Sequence, residues 1–315
     1  MRWVLFKCVI MKYLSTLLLV FVALTGFGQK DDPEQETAFW EDSLQIYESR
    51  LVVIGDSLVN SSSQFVRAES AKSMIKVFRQ ALRIPGAYSY GFDSLMFLSK
   101  LSPQDNAFRM FTWILRLDGG KFHYFGVIHM NDPKRFIYHP LFDRSLNEMP
   151  RVKGQRGPND GLEDSIYTNQ TWFGMHYYNV SVVKHKQFLG LRGKKYYMLT
   201  GWDGNNNISH KKIIDVLTFE NGVPTFGAPI FQVGENTYSR IVLEFNAQAV
   251  ITLKKHEDEN VISFDHLMPP TAKNEGDLFT YIPSGQYDYF VWQKDRWVFK
   301  EDYFNTHKKQ PLGLH

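Results

Sequence analysis

A mainly β chain is predicted: an antiparallel sandwich or a propeller-like array of hairpins, preceded by a short two-helix N-terminal segment. Three observations lead there. Apolar residues recur at spacings of three and four only before Pro85. After Pro85 the chain breaks into short runs rich in Val, Ile, Tyr, Phe and Trp, punctuated by Gly, Asn and Asp. No crossover helix follows to join parallel strands, which disfavours a parallel α/β sheet.

Before the first helix, residues 14–24 form an uncharged apolar core, preceded by Lys12 and followed by Thr25-Gly26-Phe27-Gly28-Gln29. A basic flank, a short apolar run and small residues ahead of Gln29 are the parts of a secretory signal peptide, assigned to residues 1–28. A retained anchor needs about 20 consecutive apolar residues, and Lys7 and Lys12 interrupt the longer run. Met1 and Met11 are alternative starts, since Met11-Lys12-Tyr13 supplies a basic flank by itself.

Removal of residues 1–28 changes the chemistry of what remains. Arg2, Lys7 and Lys12 leave with no acidic residue, so the whole-chain excess of 36 Lys and Arg over 33 Asp and Glu disappears. A neutral mature chain has little electrostatic claim on nucleic acid, which is excluded as a partner. Cys8, the single cysteine, also leaves. The mature chain therefore carries no disulfide and no lipid-anchoring cysteine, and no stable membrane span is expected in it. Periplasmic or secreted is the expected location. With 43% hydrophobic and 15% aromatic residues the chain can build a large core without disulfide staples.

Residues 29–37 are acidic and polar and read as a flexible leader. A helical segment spans 38–85. Leu44, Tyr47, Leu51, Ile54 and Leu58 mark one helix over about 38–59; Ala71, Met74, Ile75, Phe78, Ala81 and Leu82 mark a second over about 64–82. The polar break Asn60-Ser61-Ser62-Ser63 separates them, and Pro85-Gly86 ends the pair.

The antiparallel β domain occupies 86–315. Its clearest hairpin joins 108–117 to 122–130 through Asp118-Gly119-Gly120, an Asp-Gly turn. Further strands are expected at 177–186, 195–202 with 211–219, 240–245 with 250–256, 261–264, 287–292 and 297–300, with another turn at Asn221-Gly222. Residues 143–171, rich in Arg, Gly, Pro, Asn and Asp, form a loop long enough to be functional or mobile.

Several segments of this domain, Leu101-Ser102-Pro103-Gln104-Asp105-Asn106-Ala107-Phe108-Arg109, Tyr196-Tyr197-Met198-Leu199-Thr200-Gly201-Trp202-Asp203-Gly204, Phe264-Asp265-His266-Leu267-Met268-Pro269 and Tyr287-Asp288-Tyr289-Phe290, resemble exported Bacteroidota proteins of uncharacterised function. The resemblance implies a shared fold and export, and carries over no activity.

Gly55-Asp56-Ser57-Leu58 and Gly157-Pro158-Asn159-Asp160 resemble two blocks of GDSL (SGNH) esterases. That resemblance implies Ser57 as nucleophile and Asn159 as an oxyanion donor. The family's Asp-x-x-His is missing, and Leu51, Ile54 and Leu58 fit a helix face where the family needs the end of a strand. An ordinary helix and loop is therefore expected.

Trp202, Asp203, Asn205 and Asn207 form the expected ligand-binding set. Oxygen-bearing side chains at alternate positions resemble the first half of a calcium loop, but Ile208 and Ile214 stand where glycine and the bidentate glutamate belong. Tyr196, Met198, Thr200 and Trp202 share a strand face, where an aromatic beside Asp and Asn offers a sugar platform. His123 and His129 share a face about 20 Å apart at about 3.3 Å per residue, too far for one ion. No metal, cofactor or catalytic set is predicted. The functional expectation is a non-catalytic binding or structural module of the envelope, with a glycan or protein as partner. The alternative is a hydrolase, of esters through Ser57 or of glycans through a pair among Asp203, Asp215, Glu244 and Asp265.

Overall fold

The computed structural model describes residues 33–146, 161–184, 195–256 and 259–306. The signal segment and Asn159 lie outside them. No helix among the described residues is long and apolar enough to cross a membrane.

The chain opens with two packed helices, α1 (Pro33–Asn60) and α2 (Gln64–Ala81). Helix α1 begins inside the segment read as a leader. Its buried seam is Leu44, Leu51 and Leu58, with Tyr47 and Ile54 between them. That heptad spacing keeps one stripe against α2, which answers with Ala71, Met74, Phe78 and Ala81. The Ser63 side chain accepts a hydrogen bond from the Val66 amide and starts α2.

The β domain follows as three sheets. The first is a meander of β1 (Ser99–Leu101), β2 (Phe108–Arg116), β3 (Phe122–Met130) and β4 (Tyr138–Phe142). Gly119 and Gly120 take φ of 77° and 76° in the turn between β2 and β3, a left-handed conformation that favours glycine. The second sheet contains β5 (Tyr167–Thr168), β6 (His176–Lys184), β7 (Lys195–Asp203), β8 (Ser209–Glu220) and β9 (Val223–Phe226), in the order β5-β9-β8-β7-β6. Asn221 and Gly222, both at positive φ, close the β8–β9 hairpin as expected.

The chain then contributes β10 (Phe231–Val233) and β11 (Asn236–Tyr238) to the third sheet and returns to the second as β12 (Ile241–Asn246). It completes the third with β13 (Leu253–His256), β14 (Val261–Met268), β15 (Ile282–Gln293) and β16 (Arg296–Lys300), in the order β11-β10-β16-β15-β14-β13. The short helix α3 (Tyr303–Thr306) closes the described chain. Among the described residues, strand pairs are antiparallel apart from β10 with β16.

One expected pairing is corrected. Residues 240–245 and 250–256 do form strands, but not a hairpin with each other: β12 pairs with β8 and β13 with β14. Strand β8 is twelve residues long, and β9 covers only its 217–220 end. The remaining edge of β8, residues 209–214, is left for β12, which places Ile241 in the core between the second and third sheets.

The layers stack in chain order. The helices pack on Phe111, Trp113, Leu115 and Val127 of the first sheet. The opposite face, Phe108, Met110, Tyr124 and Ile128, packs on Tyr177, Tyr197, Leu199, Ile213 and Leu217 of the second. Beyond it, Met198, Ile214 and Val216 meet Ile262, Phe264, Phe290 and Trp297 of the third. The period-2 alternation of each strand thus serves two cores at once.

Candidate functional site

The predicted ligand set lies where β7 leaves the second sheet. Trp202 is half-buried and packs edge-on against Phe122, at 5.4 Å between ring centroids, and His210, at 5.3 Å. Asp203 is buried, and its Oδ1 accepts from the Tyr124 hydroxyl (2.9 Å) and the Asn205 amide (2.8 Å). Burial raises the Asp203 pKa against the opposing pull of the Asn205 amide, Lys211 and Tyr124. Asn205 donates Nδ2 to Ser209 Oγ at 2.7 Å, and Asn206 Oδ1 accepts from the Ile208 and Ser209 amides. Asn207 donates to the Gly119 carbonyl at 3.2 Å.

These contacts spend the turn's polar atoms on the fold. Tyr124–Asp203 and Asn207–Gly119 tie the second sheet to the first, so the turn acts as a latch between layers. The expected aromatic row also divides: Tyr196 and Met198 face the third sheet, whereas Trp202 turns toward Phe122.

The esterase residues are not assembled. Gly55, Asp56 and Ser57 lie inside α1, and the Ser57 hydroxyl donates to the Val53 carbonyl one turn back (3.3 Å). Gly55 serves packing, because a Cβ there would fall 1.9 Å from Phe97 Cε1. Asp56 accepts from Asn60 Nδ2 at 2.7 Å.

The acids considered for glycan cleavage have structural partners. Asp215, fully buried, pairs with the equally buried Arg240 at 3.2 Å and accepts from the Tyr177 hydroxyl. Arg240 also donates to the Leu162 and Ser165 carbonyls, anchoring the described end of the long loop. Glu244 accepts from Ser209 Oγ, and Asp265 from the Thr252 amide. His266 pairs with Asp288 at 2.7 Å, and His256 Nε2 contacts Ser263 Oγ at 2.8 Å.

A concave site lies instead between α2 and the first sheet, a cleft of about 300 Å³. Sheet register builds it. On the helix-facing side of the sheet, Trp113 of β2 lies opposite Phe125 of β3, and Phe125 opposite Phe142 of β4. The Trp113 and Phe125 rings stack at 5.7 Å, and His123 meets Phe125 edge-on at 4.8 Å. From above, α2 adds Ile75, Phe78 and Arg79. The sheet's edge adds Tyr138, Asp143 and Arg144.

The polar groups of the cleft are few. The Asp143 carboxylate is fully buried and accepts from the Tyr124 (2.8 Å), Ser145 (2.8 Å) and Gly174 (3.0 Å) amides. Burial pushes its pKa up, but the His123 contact and the amide and Ser145 donors outweigh this and hold it below the usual carboxylate value. His123 Nδ1 is 3.2 Å from Asp143 Oδ2 in an electrostatic contact without good hydrogen-bond alignment. The His123 side chain keeps 31% of its surface, which leaves it accessible to a ligand. Arg79 extends over the Tyr138 ring at 5.8 Å, and Arg144 donates Nε to the Gln170 carbonyl at 3.3 Å. Among the described residues neither arginine makes an ion pair. Trp113 Nε1 is buried with no hydrogen-bond partner among them.

Sequence reasoning named His123, set aside as a metal ligand, and the 143–171 loop that begins with Asp143 and Arg144, but did not bring them together as a site. No protein-family model, curated protein or solved structure matches the chain.

Proposed function

We propose that the chain is an exported, non-catalytic binding module of the cell envelope, periplasmic or secreted, and that its ligand seat is the cleft between α2 and the first sheet. The propeller-like reading of the fold, kept over the sandwich, is supported by three four-stranded meanders among the described residues, β1–β4, β6–β9 and β13–β16. The observation that carries the binding reading is the cleft itself: stacked aromatic walls, a rim of two arginines without ion pairs among the described residues, and a partly exposed His123 beside a buried carboxylate. Small-molecule sites have this makeup, largely apolar walls with a few polar groups that fix orientation, and about 300 Å³ is the lower end of their range. Export rests on the apolar core at 14–24 with its flanks.

The test is amide and indole chemical-shift mapping on the mature chain against envelope glycan fragments, small organic acids, amines and alcohols. At least one class is expected to move the signals of Trp113, His123 and Phe125. Shifts confined to Trp202, Asn205 and Asn207 would relocate the seat to the predicted turn. A panel that moves neither set would overturn the binding reading.

A further inference from the structure

We propose that the cleft takes a small carboxylate with an apolar aryl or acyl tail, the carboxylate held between Arg79 and Arg144. The inference rests on the cleft being the ligand seat and goes beyond it in assigning the ligand's charge and polarity. Size comes first: about 300 Å³ lies at the lower end of small-molecule sites, which suits a ligand of compact, metabolite-like size. Polarity follows from the walls, which Phe78, Phe125, Val127 and Leu141 and the ring face of Trp113 make largely apolar.

Charge decides the head group. Asp143 contributes the cleft's acidic side chain, and its oxygens are occupied by three backbone amides and the His123 contact. Among the described residues a ligand cation would find no accessible carboxylate there. Arg79 and Arg144, by contrast, have cationic groups on the rim with no carboxylate partner among the described residues, and a guanidinium presents a planar fork that matches a carboxylate. Arg83, one turn beyond Arg79, lies over the Phe136 ring at 5.4 Å, and Phe136 stacks on Tyr138 at 5.7 Å. The stacked Phe136 and Tyr138 rings thus carry two arginines, Arg79 from α2 and Arg83 from the turn that follows it, which adds positive charge beside the rim.

The test compares two ligands of matched shape, 3-phenylpropionate and its neutral amide, titrated by calorimetry into the mature chain, with octanoate as the acyl arm. The acid is expected to bind at least tenfold more tightly than the amide. Arg79→Gln and Arg144→Gln should each weaken the acid at least fivefold and leave the amide unchanged. Both arginines are exposed, so these variants should melt as the parent does, which a thermal scan verifies. Equal affinity for acid and amide overturns the carboxylate assignment while leaving the cleft as a seat. Failure of phenylpropionate and octanoate to bind at millimolar concentration overturns this ligand class, and the chemical-shift panel then decides the cleft separately. Octanoate binding without phenylpropionate assigns the tail as acyl, and the reverse assigns it as aryl.

Discussion

His129 ties the stability of the helix-facing side of the first sheet to pH. It is buried on β3, with Arg109 of β2 and Tyr138 of β4 as its register partners and the Tyr88 and Phe136 rings edge-on at 5.4 Å each. Its Nδ1 has no hydrogen-bond partner among the described residues. Arg109, also buried, donates to the carbonyls of Ala87, Tyr88, Tyr90 and Gly91 and brings its positive charge with it. Burial first, and Arg109 second, lower the His129 pKa from 6.5 to about 4. A depressed histidine binds fewer protons in the folded state than in the unfolded chain, so stability is complete above pH 6.5 and falls as pH drops toward 4. At about 1.4 kcal/mol per pH unit, the loss from this one residue reaches about 3 kcal/mol by pH 4. His139, His176 and His210 are shifted down as well, mainly by burial, and steepen the same slope. Urea unfolding of the parent and of His129→Gln at pH 7, 5.5 and 4.5 isolates the contribution. The variant starts less stable at pH 7 but should lose about 2 kcal/mol less between pH 7 and pH 4.5. Parallel pH profiles for the two proteins would refute the assignment of a neutral, desolvated imidazole.

Two further outcomes follow from the latch and from α1. Tyr124→Phe removes the donor to Asp203 and the acceptor for the Gly204 amide together, leaving the buried Gly204 amide without that acceptor and Asp203 Oδ1 with the Asn205 amide alone. It should cost about 2–4 kcal/mol in urea unfolding, and a change under about 0.5 kcal/mol would show that water replaces the hydroxyl freely. The raised Asp203 pKa favours the folded state below the ordinary carboxylate value of 3.8 and withdraws that stability as pH climbs through the raised value, so Asp203→Asn should abolish that decline. On α1, Ser57→Ala should leave stability within about 0.5 kcal/mol and leave any turnover of p-nitrophenyl acetate unchanged, whereas Gly55→Ala should cost about 1–3 kcal/mol through the clash with Phe97. Loss of esterase turnover in Ser57→Ala would restore the nucleophile that the helix position denies.

The parts of this fold written in local periodicity were legible in the sequence, and the parts written in sheet register were not. Leu44, Leu51 and Leu58 announce α1 because one helix must bury a single stripe, and the structure buries those three residues. The 118–120 and 221–222 turns announce their hairpins because few residues tolerate positive φ. Pairing of 240–245 with 250–256 failed because adjacency in sequence is only a prior for adjacency in a sheet, and the spare edge of β8 offered β12 a better partner. Strand β4 was missed because Pro140 interrupts its pattern, although an edge strand tolerates proline.

The cleft was hidden for the same reason. Its walls come from α2, β2, β3 and β4, and no two of its decisive residues, Arg79, Trp113, His123 and Arg144, stand close enough in the sequence to form a motif. The Trp202–Asn207 turn drew attention because its polar side chains are contiguous, yet contiguity is what lets them satisfy one another, as Asn206 does for the Ile208 and Ser209 amides. A signal for the cleft does exist in β3. His123, Phe125, Val127 and His129 alternate along one strand face, and that face carries two titratable groups where the helix-covered core asks for apolar ones. His129 is buried there at the cost of its charge, while His123 keeps contact with solvent and gains a buried carboxylate. Two histidines on one face with opposite environments mark where the segment after α2, through Tyr88, and Phe136 close over the sheet and where that face stays open, and the open end is the cleft.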